Sequence, residues 1–168
     1  MQKFDKKELK LLIYFAIPLF FDQLIKILIV KYKYFYTSSY IIIRKIENHG
    51  ISFGALADSS PLLRIIIFST LYGFIAFFAY VIVFYILNKA ELYKIRVAII
   101  FLLTGISGNA LDRIYQGFVT DYFIINTKFL NHLVFNLTDV VQLTGGIFTI
   151  YYLFKLSEKI WYLNNIRS

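Results

Sequence analysis

Long apolar stretches alternate with shorter polar connections along this chain, and four of the stretches are long enough to cross a bilayer. A transmembrane helix needs about 20 mainly apolar residues. The second stretch is long enough to tilt or project from the bilayer, whereas the third is short and ends where Gly105, Gly108 and Asn109 appear. The pattern predicts transmembrane helices over residues of about 11–31, 62–88, 95–112 and 136–155.

Lysine and arginine residues next to these stretches predict the orientation, since they favour the cytoplasmic side. Ten of them lie in the N-terminal tail, in the link between the second and third stretches, and in the C-terminal tail, against seven on the other side. Both termini are therefore expected in the cytoplasm. The cytoplasmic set is Lys3, Lys6, Lys7, Lys10, Lys89, Lys94, Arg96, Lys155, Lys159 and Arg167.

The two longer connections, about 32–61 and 113–135, are then expected outside the cytoplasm. The first contains the runs Tyr32–Tyr36 and Ser39–Ile43, whose β-branched and aromatic residues are typical of short strands. The predicted fold is a membrane all-α protein with a small β part: four transmembrane helices and a small extracytoplasmic sheet, in one domain over residues 1–168. Gly145 and Gly146 are expected to permit close packing of the last helix.

The first apolar stretch follows several lysines, as in a signal peptide, but it is expected to remain in the protein. It runs from Leu11 to Val30, which is longer than the apolar core of about 7–15 residues in a signal peptide. It also contains Asp22 and Lys26, and no small-x-small cleavage site follows it.

The composition supports a membrane protein. Hydrophobic residues make up 59% of the chain and the mean hydropathy is +0.66, whereas soluble domains are about 45–50% apolar. Aromatic residues reach 20%, as expected for rings at lipid interfaces. The net charge of +8 therefore predicts contact with anionic membrane lipids and no binding of nucleic acid, since no basic stripe can be drawn on a soluble face.

Disulfides and metal sites are not expected. The chain has no cysteine, which excludes disulfides and thiolate ligands. Its two histidines, His49 and His132, stand apart and lack the closely spaced partners of a zinc site. We expect neither a metal nor another cofactor.

Polar residues gather at the outer ends of the last two predicted helices. Asn109 and Asp112 are three residues apart near the end of one helix, and Asn136 and Asp139 are three apart at the start of the next. Each pair shares a helix face, and a turn at Gly117 is expected to bring Asp121 back towards them. Ionisable groups at a bilayer rim are costly and indicate a functional site. For Asn136 alone, helix capping explains the residue equally well.

Two neighbouring carboxylates predict hydrolysis by a shared proton. Such groups cannot both ionise easily, so the pair retains one proton over a wide pH range. The ionised partner deprotonates a water, while the protonated partner donates to the carbonyl oxygen and later to the leaving amine. Donors near the developing charge are expected from Asn109, Asn136 or Arg113.

Four segments extend this pattern over most of the chain, and their order and spacing resemble the motifs of the lipoprotein signal peptidase family (signal peptidase II). They are Asp22-Gln23-x-x-Lys26, Asn48-x-Gly50-x-Ser52-Phe53-Gly54, Gly108-Asn109-x-x-Asp112-Arg113-x-x-x-Gly117-x-Val119-x-Asp121 and Phe135-Asn136-x-x-Asp139. Three positions differ from the usual motif: Ser52 and Thr138 replace alanine, and Tyr122 replaces phenylalanine. None of these differences removes a reacting group, although the hydroxyls of Tyr122 and Thr138 could tune the neighbouring carboxylates.

The resemblance implies an aspartic peptidase of the bacterial cytoplasmic membrane, with its site on the extracytoplasmic side. It would cut diacylglyceryl-modified prolipoproteins before the lipid-bearing cysteine, and a monomer is expected to suffice. The resemblance assigns catalysis to Asp121 and Asp139. The supporting and substrate-binding positions that it implies are Asp22, Lys26, Asn48, Gly50, Asn109, Asp112, Arg113 and Asn136.

Two other interpretations are left open by the residues themselves. Asp22 and Lys26 are four apart, so they are expected to form an internal ion pair that makes their burial tolerable, with a partner in the outer loop or a neighbouring helix. Direct catalysis is the less favoured role for this pair. A transporter or proton-conducting subunit would also place carboxylates in a membrane, but acidic groups near mid-span would be expected, and Asp22 alone lies deep.

Overall fold

The computed structural model describes residues 6–49, 59–87, 89–126 and 133–166. Within these residues, four long helices stand beside one small antiparallel sheet. A π-helical turn, Ile82–Ile86, and a 3-10 turn, Ala90–Leu92, connect the second and third helices. The helices are α1 (Lys6–Tyr32), α2 (Pro61–Val81), α3 (Tyr93–Gln116) and α4 (Leu137–Ile166), and the strands are β1 (Tyr36–Thr37), β2 (Ile41–Asn48), β3 (Val119–Ile125) and β4 (Leu133–Phe135).

The predicted set of four apolar helices is confirmed for the described part of the chain. Each of the four helices is long and apolar enough to cross a membrane. Large apolar side chains such as Phe20, Phe74 and Ile150 are exposed on their outer faces, as expected of surfaces that contact lipid. The fold is therefore that of a multi-pass membrane protein with a small β part.

The predicted end of the third helix is wrong. Instead of stopping near residue 112, α3 continues to Gln116, and Gly105, Gly108 and Asn109 lie inside it. Glycine weakens an isolated helix by about 1 kcal/mol, but packing against α4 outweighs that cost here. The helix ends where Gly117 adopts φ 80°, a left-handed conformation that favours glycine.

The sheet is larger than the sequence predicts. Its strand order is β1-β2-β3-β4, all antiparallel. The first predicted strand is wrong, because Tyr32 belongs to α1 and β1 begins only at Tyr36. Moreover, β3 and β4 come from the second connection, for which no strand was predicted. The polar residues of β3 obscure its strand pattern, and its pairing with β2 stabilises it.

Helices α3 and α4 approach closely through glycines on both partners. A Cβ atom at Gly105 would collide with the side chain of Gln142, and one at Gly145 would collide with the backbone nitrogen of Leu102. The expectation of close packing is therefore confirmed for Gly145. It is wrong for Gly146, where an added Cβ atom would lie 3.9 Å from its nearest neighbour.

This difference predicts opposite outcomes for two adjacent alanine substitutions. Gly145→Ala is expected to lower stability by about 1–3 kcal/mol, because the backbone of α3 must move to admit the methyl group. Gly146→Ala adds a methyl group without a clash and raises helix propensity, so it should leave stability unchanged or slightly raised. Thermal unfolding of both variants in the same detergent checks this, and equal melting temperatures would contradict the packing argument.

The end of the bundle opposite the sheet is closed by an ion pair and an apolar cluster. Arg96 Nη2 of α3 lies 2.6 and 2.7 Å from the carboxylate oxygens of Glu8 in α1. Leu11, Val83 and Ile100 form a buried cluster nearby. Helix α1 begins at this end and helix α4 finishes at it. The first described residues of α1 and the last described residues of α4 therefore lie far from the sheet.

Candidate functional site

Helix ends and one strand bring the predicted acids together beside the sheet. Asp121 lies in β3 and Asp139 in the first turn of α4, and β4 leads directly into that helix. The N–H of Gly117 donates to the Arg113 carbonyl at 3.0 Å and closes α3. The turn at Gly117 thus returns the chain towards the helix ends, as the sequence predicts.

Asp121 is held between two asparagine side chains. Its carboxylate accepts hydrogen bonds from Asn136 Nδ2 at 2.7 Å and from Asn48 Nδ2 at 3.0 Å. Burial raises the pKa of Asp121 above its ordinary value and the charge of Asp139 adds to this rise, whereas the hydrogen bonds from Asn48 and Asn136 oppose it. The net effect is that Asp121 retains a proton to higher pH than an exposed aspartate does.

Asn136 caps α4 and also contacts Asp121. Its Oδ1 accepts the Asp139 N–H at 2.9 Å, and the Asp139 carboxylate accepts the Asn136 N–H at 3.0 Å. This reciprocal pattern is a capping box. Capping, one of the two interpretations that the sequence leaves open for Asn136, is therefore confirmed, and the same side chain still donates to Asp121.

Hydrogen bonds run from one predicted acid to the other through the two asparagines. Asn136 Nδ2 donates both to Asp121 and, at 3.0 Å, to Asn109 Oδ1. Asn109 Nδ2 in turn donates to Asp139 Oδ1 at 2.7 Å. The guanidinium of Arg113 interacts electrostatically with both carboxylates. The arrangement therefore couples two acids through neutral amide donors, with a cation nearby.

A second cluster of charges is buried beside this pair. Lys26 Nζ lies 2.7 Å from Asp22 Oδ2 and 2.9 Å from Asp112 Oδ2. All three side chains are at most 5% exposed. The expected ion pair between Asp22 and Lys26 is present, and its partner on a neighbouring helix is Asp112 of α3. Asp112 also accepts the Thr120 N–H at 2.9 Å, which attaches β3 to α3.

Three further side chains join this network. Of these, the sequence suggests an interaction with the carboxylates for Tyr122 and Thr138 but none for Gln23. Gln23 Nε2 lies 3.3 Å from both the Gly108 carbonyl and Asp112 Oδ1. The hydroxyls of Tyr122 and Thr138 bond to groups around both acids. For Tyr122 and Thr138, the signal available in the sequence was that both residues differ from the usual family motif.

The remaining predicted residues are only partly described. Gly50, Ser52, Phe53 and His132 lie outside the described residues. His49 packs against the Phe118 ring with 5.1 Å between ring centroids. In the part of the chain that the structure describes, no group of three or more histidine or acidic side chains is arranged to hold a metal ion.

Comparison with known proteins identifies the family. The sequence profile described as signal peptidase (SPase) II matches residues 14–155. A lipoprotein signal peptidase of Clostridioides difficile (strain 630) is 32% identical over 116 residues, covering 68% of this chain and 70% of that protein. A lipoprotein signal peptidase of Histophilus somni (strain 129Pt) is 28% identical, covering 86% of this chain and 88% of that protein.

The fold is also similar to solved structures. A bacterial membrane enzyme structure obtained by the in meso method superposes with a TM-score of 0.69 at 23% identity, covering 89% of this chain and 90% of that one. A second structure of the same description gives a TM-score of 0.65 at 23% identity, covering 86% and 92%. The matched profile, the similar sequences and the four apolar helices show that the chain belongs to the signal peptidase II family and is a multi-pass membrane peptidase of the aspartic type.

Proposed function

We propose that this chain is a lipoprotein signal peptidase that removes the signal peptide from diacylglyceryl-modified bacterial prolipoproteins, cutting before the lipidated cysteine. The observation that carries the proposal is the hydrogen-bonded connection between Asp121 and Asp139 through Asn136 and Asn109. The similar proteins named lipoprotein signal peptidase support the substrate class. Membership of a peptidase family also favours this function over the alternative of a transporter or proton-conducting subunit.

The reaction proposed for the two aspartates needs one shared proton. The ionised carboxylate takes a proton from water, and the water oxygen attacks the carbonyl carbon of the scissile peptide bond. The protonated carboxyl donates its proton to the carbonyl oxygen. The other carboxyl, which now holds the proton taken from water, gives that proton to the leaving amine as the C–N bond breaks, and a proton of the collapsing diol returns to the first carboxylate. The raised pKa of Asp121 supports the retention of that proton by the pair.

The surrounding residues would hold the pair in position. Asn48, Asn109 and Asn136 aim amide donors at the carboxylates, while Arg113 offsets their charge. Lys26, with Asp22 and Asp112, would hold α1, α3 and β3 together. Gly50 retains the supporting role that the family motif implies.

The proposed orientation in the membrane rests on which parts of the chain lie at each end of the bundle. The site lies at the end of the bundle that carries the sheet, whereas the first described turn of α1 and the last described turn of α4 lie at the other end. We place the sheet and the site on the extracytoplasmic side of the bacterial cytoplasmic membrane, with both termini in the cytoplasm. The acyl chains of the substrate would stay in the bilayer against the exposed apolar helix faces, and a single copy of the chain would suffice.

The proposal is tested by giving the purified protein a diacylated prolipoprotein and following the mature product by gel shift. We expect cleavage of the diacylated substrate and none of the same prolipoprotein without its lipid. A chelator should leave the rate unchanged, since the proposed chemistry uses only carboxylates and water. Failure to cleave the diacylated substrate, or inhibition by the chelator, would contradict the proposal.

A further inference from the structure

The Tyr122 hydroxyl lies where β3, α1 and α4 meet. The side chain is fully buried, with 0% exposure. Its oxygen accepts the Leu137 N–H at 2.9 Å and lies 3.4 Å from Asp22 Oδ1, to which it donates. Leu137 begins α4, and its N–H is one of the donors that a helix start leaves without an intrahelical partner. Tyr122 therefore provides a cap for α4 from a different element.

This contact joins the two segments that carry the acids. Tyr122 directly follows Asp121 in β3, and Leu137 lies two residues before Asp139. Burial raises the pKa of the Tyr122 phenol, so the hydroxyl keeps its proton and remains a donor to Asp22. The hydroxyl thus fixes the strand that bears one acid against the helix turn that bears the other.

The Thr138 hydroxyl lies on the same helix turn and contacts both asparagines. Its Oγ1 is 2.7 Å from Asn136 Oδ1 and 3.1 Å from Asn109 Oδ1, and its single O–H is shared between these two amide oxygens. Because the Thr138 hydroxyl binds the oxygen of each amide, the NH2 group of each amide points away from Thr138. Those NH2 groups donate to Asp121 and Asp139.

Asp22 connects the two hydroxyl residues. Its Oδ1 accepts both the Tyr122 hydroxyl and the Thr138 N–H, the latter at 3.2 Å. The methyl group of Thr138 packs directly against Gly108 of α3. Together with Ser52, which lies outside the described residues, Tyr122 and Thr138 are the positions where this chain carries a hydroxyl that the usual family motif lacks. Both added hydroxyls therefore act on one short segment, the first turn of α4.

We propose that Tyr122 and Thr138 are positioning residues that hold Asn136, Asn109 and the first turn of α4 so that Asp121 and Asp139 keep their relative orientation. The inference rests on the proposed function, in which these two aspartates react. Tyr122 is fully buried and Thr138 is 0% exposed, so both act through other groups and neither contacts the substrate. Their loss should therefore slow the chemical step and leave substrate binding nearly unchanged.

The test compares variants that remove a hydroxyl with variants that keep it. Tyr122→Phe and Thr138→Ala introduce the residues of the usual motif, so both should fold. Thr138→Ser loses the methyl group but keeps the hydroxyl, which makes it the matched partner of Thr138→Ala. Tyr72→Phe is the control for a tyrosine hydroxyl, because Tyr72 bonds at 3.0 Å to Ser107, a residue that has no role in the proposed site.

We expect Tyr122→Phe and Thr138→Ala each to lower kcat about five- to tenfold, the loss of one modest hydrogen bond, with KM unchanged. Thr138→Ser and Tyr72→Phe should keep a kcat close to that of the wild type. Hydrogen exchange measured by mass spectrometry on the start of α4 should be faster in Tyr122→Phe than in Tyr72→Phe. This exchange measurement requires no substrate.

The outcomes separate the two proposals. A wild-type protein that cannot cleave the diacylated substrate contradicts the proposed function, while the exchange rates still test whether Tyr122 holds α4. The positioning role is overturned by an unchanged kcat or unchanged exchange in Tyr122→Phe. It is also overturned if Thr138→Ser loses as much kcat as Thr138→Ala, because packing rather than the hydroxyl would then be responsible.

Discussion

Asp121→Asn and Asp139→Asn are each expected to reduce cleavage of a diacylated prolipoprotein by at least about a thousandfold, within the range by which positioned acids and bases accelerate reactions. Asparagine keeps the shape of aspartate but can neither take a proton from water nor hold the shared proton. Initial rates with the purified variants measure the loss. Glu158→Gln is the control, because it changes an exposed carboxylate near the other end of α4 and should leave the rate unchanged.

The loss of activity should not result from unfolding. In the folded protein the pKa of Asp121 lies above its ordinary value of 3.8, so the folded state binds this proton more tightly than the unfolded chain. Stability therefore falls as the pH rises from the unfolded pKa through the folded one. An uncharged asparagine avoids that loss, which offsets the one hydrogen bond, from Asn48 or Asn136, that its NH2 group cannot accept. Asp121→Asn should therefore melt close to the wild type at neutral pH. Normal turnover by either aspartate variant would refute the assignment of the pair.

Lys26→Met is expected to give the largest loss of stability, about 3–5 kcal/mol, as typically found when one partner of a buried ion pair is removed. Lys26 lies between Asp22 and Asp112, at 2.7 and 2.9 Å. Methionine has a similar length but no charge, so both carboxylates would remain buried without their cation. The melting temperature in detergent should fall steeply, and activity should fall with it.

Lys45→Met is the matched control for this prediction. Lys45 pairs with Glu47 at 2.6 Å, but the two side chains are 34% and 43% exposed. Exposed pairs contribute at most about 1 kcal/mol, so this variant should melt close to the wild type. Similar melting temperatures for Lys26→Met and Lys45→Met would show that the buried cluster does not hold the helices together.

The start of α4 and strand β2 could be predicted from the sequence, whereas strand β3 could not. The spacing of Asn136 and Asp139 predicts a shared helix face, and the structure adds that they form a capping box. The β-branched and aromatic residues of Ser39–Ile43 predict a strand in the first connection, and β2 begins at Ile41. By contrast, β3 is not predicted, because Asp121 is disfavoured in strands and the conformation of this segment depends on pairing with β2.

The sequence by itself determined the four apolar helices, the small β part, the family and the position of Asp139 at the start of the last helix. These follow from hydropathy and from spacing along the chain, which are local properties. Only the tertiary structure decided where α3 ends, which of the two adjacent glycines packs against it, and which donors each acid receives. Asn136 reaches Asp121 from another element, and Lys26 of α1 meets Asp112 of α3. Such contacts depend on how helices and strands pack in space, which residue spacing within one segment does not specify.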